Sequence, residues 1–301
     1  MTRILIVGCG DVALRVSDRL RDRAGLIGLT RNRDDVRKLR AHGVVPLVGD
    51  LDDRRTLRRL RTAPFAVLHF APPPSEGKDD PRTRRLLAAL AGARIIPRHF
   101  VYISTSGVYG DCAGARVPET RPRRAHTPRA RRRVAAEDRL RHFAARNGVA
   151  LSILRVPGIY APTRLPLERP KQGTPALVAD EDVYSNHIHA DDLAHAVVSA
   201  LYRGRANRAY NVSDDSEMKM GEWFDTVADA FHLPRPPRVS WDDAERQIAP
   251  LLLSFMSESR RLVNARMKRE LRVRLRHPTP HGELAQTAPR ELRRQLALPI
   301  G

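Results

Sequence analysis

The stretch Ile4-Leu5-Ile6-Val7-Gly8-Cys9-Gly10-Asp11-Val12-Ala13 decides the fold. Its first four residues are a short, branched apolar run, the pattern of a strand buried on both faces. The next six fit G-x-G-x-x-(G/A), and Asp11–Arg23 continues with Val12, Leu14, Val16 and Leu20 apolar among charges, which predicts a helix. In that setting Gly8 permits a tight turn, Gly10 lets backbone approach a pyrophosphate, and Ala13 is small enough for helix–strand packing. The helix start at Asp11 and Val12 offers free N–H groups and a partial positive charge to phosphates. The unit therefore reads as a dinucleotide site.

Outward from it, strands are expected at Leu26–Leu29, Val44–Val48, Phe65–Phe70, Phe100–Ser104 and Leu151–Val156. Helices are expected at Asp34–His42, Asp53–Arg61, Pro81–Ala91 and Ala130–Asn147, the last ending in Asn147-Gly148, a C-cap signal. This alternation predicts an α/β protein: a doubly wound parallel Rossmann sheet of about seven strands, with right-handed crossovers. After Pro157 the pattern loosens, and 157–183 reads as a long functional loop. Ser185–His189 and Arg208–Val212 read as short strands around a helix at Asp192–Arg203, and Ser216–Phe231 and Ser257–Leu271 as helices of a small C-terminal lobe. The expected division is 1–157 with about 185–214 as the dinucleotide-binding domain, and 158–184 with 215–301 as a substrate-binding lobe.

Composition narrows the partners. No apolar run approaches the roughly 18 residues of a membrane span, and the N-terminus reads as a strand and not as a signal peptide. Two cysteines, Cys9 and Cys112, argue against a disulfide framework and for a reducing cytoplasm. The formal charge is +20, and only five of the 54 basic residues are lysine. That skew reads as a solvated, arginine-rich surface, with affinity for polyanions as the alternative. Nothing resembles a helix-turn-helix, a zinc finger or an aromatic RNA platform, so a small-molecule substrate is favoured over nucleic acid.

The tip of the second strand selects the cofactor. NAD sites place an acid there, on the ribose hydroxyl. Here the tip is Leu29-Thr30-Arg31-Asn32-Arg33, with two guanidiniums suited to a 2′-phosphate. NADP is favoured, and Asp34 and Asp35 keep NAD open.

Further along come Gly49-Asp50-Leu51, then Tyr102-Ile103-Ser104-Thr105-Ser106-Gly107-Val108-Tyr109-Gly110-Asp111. Arg155-Val156-Pro157-Gly158-Ile159-Tyr160, His187-Ile188-His189-Ala190-Asp191-Asp192-Leu193-Ala194 and Tyr210-Asn211-Val212 follow. In this order the runs resemble the extended short-chain dehydrogenase/reductase superfamily, of the NAD-dependent epimerase/dehydratase type. The resemblance covers nearly the whole chain and is nearest to atypical members with a GxGxxG-like motif. It implies that Asp50 and Leu51 flank an adenine, that Phe70, Ala71 and Pro72 line the dinucleotide, and that Pro157 and Gly158 lie near the nicotinamide. It implies that Thr105 hydrogen-bonds the reacting oxygen, and it suggests a homodimer. It breaks at the catalytic Tyr-x-x-x-Lys: counting back from Glu137 puts Arg133 at the Lys position and Arg129 at the Tyr position. The chemistry needs a phenol acidified by a cation, and arginine supplies only the cation. The acid pair of the dehydratases would fall on Ser106 and Gly107, which cannot serve. Tyr109 and His126 are the candidate replacements, each weighed against a packing or exposed-loop role.

The expected activity is an NAD(P)-dependent oxidoreductase or epimerase with non-standard catalytic residues. The alternatives are a non-catalytic dinucleotide sensor and a nucleic-acid-associated protein. Arg121–Arg133, with seven arginines, reads as an anion clamp for a phosphorylated or nucleotide-linked substrate, or as a solvated loop. His187 and His189 with nearby carboxylates raise a metal reading, against which Asp191 as helix N-cap is preferred. Ser257 reads as the cap of a last helix with Glu258 and Arg260 solvated, or with Arg260 or Arg261 reaching the cleft. Cys9 reads as a small filler beside the cofactor.

Overall fold

In the computed structural model, which describes residues 2–61, 64–93 and 96–287, seven parallel strands form one sheet. They are β1 (Arg3–Val7), β2 (Gly25–Thr30), β3 (Val44–Val48), β4 (Ala66–His69), β5 (His99–Thr105), β6 (Ala150–Val156) and β7 (Arg208–Asn211). Their spatial order is β7-β6-β5-β4-β1-β2-β3, so the winding reverses between β1 and β4. A reversal of this kind opens a crevice at the carboxyl ends of the strands, where ligands bind in such sheets.

The two-residue period of β1 builds both faces. Ile4 and Ile6 pack under α1 (Asp11–Leu20) and a helix at Ala190–Arg203, while Leu5 and Val7 join the core beneath the opposite helices. In chain order the other helices of six or more residues are α2 (Asp35–Ala41), α3 (Pro81–Ala91), α4 (Pro128–Asn147), α5 (Ala190–Arg203) and α6 (Met220–Ala230), then α7 (Trp241–Gln247), α8 (Pro250–Met256) and α9 (Ala265–Glu270). The starts of α3 and α4 follow from local chemistry. Each has proline in its first turn, where no N–H is needed, and a preceding side chain accepts a free amide: Asp80 from Thr83 N at 3.1 Å and Thr127 from Ala130 N at 3.2 Å. Gly148 ends α4 in the left-handed conformation at φ +66°.

Four expectations change. Arg54–Arg61 is a 3₁₀ helix and not an α-helix; Leu57 and Leu60, its buried pair, are three apart, which matches a three-residue turn. The loop after Pro157 contains strands: Gly158–Tyr160 pairs with His187–His189, and Ala176–Leu177 with Arg238–Val239. Helix α5 is capped by His189, whose Nδ1 accepts from Asp191 N, and Asp191 instead faces Arg15 on α1 at 2.9 Å. The expected helix over 257–271 is mostly absent. Ser257 ends α8, Arg261–Leu262 pairs with Arg116–Val117, and only α9 is helical. Tertiary backbone bonds decide this: Ser259 O accepts from both Cys112 N and Gly114 N, which draws the segment out straight.

Candidate functional site

At the dinucleotide end, backbone geometry comes first. Gly8 has φ +89°, and a Cβ there would lie 2.5 Å from Ala71 N, so only glycine fits between β1 and the chain leaving β4. Gly10, the residue before α1, has open space where a Cβ would stand, which leaves the first-turn amides of Asp11 and Val12 approachable. Beside this turn a cavity of about 270 Å³ is lined by Gly8, Arg31, Asp50, Leu51, Ala71 and Pro72. Six residues assigned to the dinucleotide from the sequence therefore converge. Arg31 is exposed there and forms no ion pair among the described residues. Arg33, also exposed, does not line the cavity. Thr30 turns inward, its Oγ1 donating to Asp35 Oδ2 at 2.9 Å, which ties Asp35 to the start of α2. Phe70 backs the cleft through its N–H to Val7 O. Asp11 is held by Arg15 at 3.2 Å and Arg164 at 3.7 Å. Cys9 packs under Gly28, and burial pushes its thiol up to about 12, so it is an inert filler. Arg82, not singled out in the sequence, joins the rim while bonded to Asp52 at 2.6 Å and to Pro72 O at 3.2 Å.

At the other end a second cavity, of about 320 Å³, lies under the tips of β5 and β6. Thr105 stands at its floor with Pro157 and Gly158. Thr105 Oγ1 accepts from Gly107 N at 3.3 Å, which caps the 3₁₀ turn Ser106–Tyr109 and fixes the hydroxyl. Arg129, which the count back from Glu137 assigns to the Tyr position, lines this cavity with its guanidinium 3.8 Å from the centre of the Phe255 ring. Arg133, at the Lys position, is turned away: its Nη1 donates to Ile103 O at 2.7 Å and to Tyr102 OH at 3.1 Å.

Neither candidate replacement reaches the cavity wall. Tyr109 is buried in the core, its OH donating to Asn211 Oδ1 at 2.7 Å and accepting from Arg155 at 2.9 Å. Burial raises its pKa, with Arg155 opposing. His126 is exposed and packs against Gly110. Tyr109 belongs to a buried network behind the site, in which Glu137 accepts from Ser104 at 2.6 Å and pairs with Arg155 at 2.8 Å. Burial alone would raise the Glu137 pKa; the bonds and charge of Arg155, with Ser104 and Arg123, outweigh it and hold the carboxylate ionised.

The arginine run also divides. Arg123 pairs with Glu137 and Asp138, Arg132 donates to Gly77 O, and of the seven only Arg129 lines the cavity. The remaining wall comes from far along the chain: Arg169, Tyr184, His187, Trp223, Glu258 and Arg260. Glu258 and Arg260, read as solvated, are buried and paired with each other, and of the alternative that Arg260 or Arg261 reaches the cleft, Arg260 lines the cavity. No local pattern marks them, because the contacts that bury them join segments about 150 residues apart, as in Arg260 to Gly110 O. His187 stacks on Trp223 at 4.6 Å, and burial pushes its pKa down to about 4.

His189, His277 and Glu283 offer ligand atoms within 4.8 Å of one another. His189 Nδ1 accepts a backbone N–H, so in the neutral ring Nε2 keeps its proton; it lies 3.9 Å from Glu283 Oε2, outside hydrogen-bond reach, and a protonated nitrogen is no metal ligand.

Comparison with known proteins agrees with this architecture. A conserved protein of Silicibacter pomeroyi, described as functionally unknown, superposes with a TM-score of 0.78 at 30% identity, over 97% of this chain and 99% of that one. A dTDP-glucose 4,6-dehydratase of Streptomyces venezuelae, solved with NAD, gives 0.78 at 21% identity over 98% of each chain, a likeness of fold. The GDP-6-deoxy-D-mannose reductase of Pseudomonas aeruginosa is 30% identical in an alignment 192 residues long that covers 55% of this chain and 63% of that protein, under two thirds of its length. Residues 4–213 match the model of the NAD dependent epimerase/dehydratase family, and the chain belongs to that family.

Proposed function

We propose that the protein is an NADP-dependent oxidoreductase or epimerase acting on a nucleotide-linked or phosphorylated small molecule, with catalytic residues other than the Tyr-x-x-x-Lys pair. One observation carries this reading: the Gly8 turn and the Thr105 cavity both lie at the carboxyl edge of the parallel sheet, at the ends of β1 and β5 with β4 between them. A bound nicotinamide dinucleotide supplies a hydride donor and acceptor. The chain's own residues hold and orient. Arg31 takes the 2′-phosphate, and Asp35, engaged by Thr30, is withdrawn from the ribose. The Gly10 turn takes the pyrophosphate. Thr105 Oγ1 orients the reacting oxygen, and Arg129 brings positive charge where the family's phenol would stand. The names of the Pseudomonas reductase and the Streptomyces dehydratase support a sugar nucleotide as substrate.

We take 1–157 with 185–214 as the cofactor domain and the remainder as the substrate lobe. We take the outer groove between α3 and α4, where Leu87, Ala91 and Phe143 lie among Arg84, Asp138, Arg139 and Arg146, as the surface a second copy of the chain would cover. Two unpaired cysteines, and no helix among the described residues long and apolar enough to cross a membrane, support a cytoplasmic setting.

The test is hydride transfer, followed by NADPH absorbance, with UDP-, dTDP- and GDP-linked hexoses as a panel. Turnover that is lost in Thr105→Ala and kept in Tyr109→Phe supports the reading. Tight cofactor binding with no turnover across the panel favours the non-catalytic sensor, to which the arginine at the Tyr position already points.

A further inference from the structure

Buried polar atoms are almost always hydrogen-bonded, and each exception calls for an explanation. Among the described residues eleven buried side-chain nitrogen and oxygen atoms lack a partner within the protein, and four of them belong to residues lining the Thr105 cavity: Arg169 Nε, His187 Nδ1, Glu258 Oε1 and Arg260 Nε. The Glu258–Arg260 pair is the informative one. Arg260 donates through Nη1 to Glu258 Oε2 at 3.0 Å and to Gly110 O at 3.3 Å, while Nη2 also meets Glu258 Oε2. One carboxylate oxygen is thus fully engaged and the other is free, and the guanidinium keeps Nε free while both Nη atoms are bonded.

The pair is also held rigidly. Ser259 N donates to Asp111 Oδ1 at 2.7 Å, and Ser259 O accepts from Cys112 N and Gly114 N. Asn186 bonds both Arg260 O and Leu262 N. Such bonding keeps the free atoms from relaxing onto each other. Arg129 completes the group. Its guanidinium lies on Phe255, and burial lowers its pKa while the charge of Glu258 opposes this and that of Arg260 adds to it, so the three charges share one small volume. With Arg169 included, three arginines and one carboxylate face the cavity, an excess of positive charge.

A ligand that answers all of this needs an acceptor-rich anion for Arg260 and Arg129 and a hydroxyl donor for Glu258 Oε1. A bare anion would leave Glu258 facing like charge, and a neutral polyol would leave the guanidiniums unanswered. We propose that this cavity is a binding site for a small hydroxylated anion, its anionic group held by Arg129 and Arg260 and its hydroxyl by Glu258. The site deepens the function proposed above and rests on it for the role of its ligand as substrate. The anion is a phosphate or a carboxylate, and the probes below distinguish them.

The experiment is calorimetric titration of the full chain, with and without saturating NADPH, using glycerol 3-phosphate, glycerate, inorganic phosphate, propionate and glycerol. A hydroxylated anion is expected to bind at least tenfold more tightly than its hydroxyl-free counterpart, and glycerol not at all. Preference for glycerol 3-phosphate assigns phosphate, and preference for glycerate assigns carboxylate. Glu258→Gln, an isosteric change, is expected to abolish the hydroxyl preference while inorganic phosphate binds as well or better. Arg129→Gln, on the cavity wall, is expected to weaken every anion about tenfold or more. Equal binding of phosphate and glycerol 3-phosphate, a preference surviving Glu258→Gln, or no anion binding by a chain that binds NADPH overturns the inference and leaves the proposed function standing. Anion binding with the expected pattern in a chain that does not bind NADPH has the opposite consequence.

Discussion

The two ends of the crevice are made of different materials. At the dinucleotide end the decisive features are backbone features: a positive φ at Gly8, open space at Gly10, the first amides of α1. At the substrate end they are charged side chains, Arg129, Glu258 and Arg260, delivered from distant segments and held in place by tertiary hydrogen bonds. The first kind of site is written in one short stretch of chain. The second exists only once the fold has formed. On the function proposed here, the contrast accounts for a chain that keeps its family's cofactor motif while its substrate side carries other residues.

The largest effect expected lies in the buried network behind the Thr105 cavity. Glu137→Ala leaves Arg155 buried without its carboxylate partner and is expected to cost about 3–5 kcal/mol of unfolding free energy, read by chemical denaturation. A loss under 1 kcal/mol would mean that the pair is not the brace between β5, α4 and β6 that its geometry indicates.

The next effect separates the ends by pH. His187, on the substrate side, has its pKa pushed by burial from 6.5 to about 4. Between those values the unfolded chain takes up a proton that the folded chain refuses. Stability therefore falls as pH drops through this window, by on the order of 3 kcal/mol in total. His187→Phe, which keeps a ring against Trp223, is expected to shrink the difference in thermal midpoint between neutral and mildly acidic pH. An unchanged difference would show that other groups govern the acid limb.

At the dinucleotide end, Arg31→Ala is expected to weaken NADPH binding roughly tenfold to a hundredfold, the loss of charge-assisted hydrogen bonds to one phosphate, and to leave NADH binding unchanged. Equal weakening of both cofactors would place Arg31 elsewhere on the dinucleotide. The smallest effect sharpens the boundary of the site: Tyr109→Phe removes bonds to Asn211 and Arg155 and is expected to cost about 1–2 kcal/mol of stability with no change in cofactor affinity.

Legibility in the sequence follows the same division. The strand–turn–helix at Ile4–Ala13, the seven strands and the proline-started helices were readable because each depends on neighbours within one turn or one pleat. Asp50, Leu51, Ala71 and Pro72 were assigned through resemblance, and they line one cavity because they sit at strand tips whose positions the sheet order fixes. Tyr109 and His126 were reasonable candidates by residue type, yet one points into the core and the other into solvent, a difference that spacing cannot reveal. Glu258 and Arg260 looked solvated because a Glu-x-Arg pair after a helix usually is; their burial depends on Gly110, Asp111 and Asn186, far away in the chain.

The central claim is that the Gly8 turn and the Arg31 pocket form one dinucleotide site, and its most direct test is calorimetric titration of the wild-type chain with NADPH and NADH. The account expects saturable NADPH binding at one site per chain, at least tenfold tighter than NADH. Binding of neither cofactor would contradict the claim and leave a family fold whose crevice serves some other ligand.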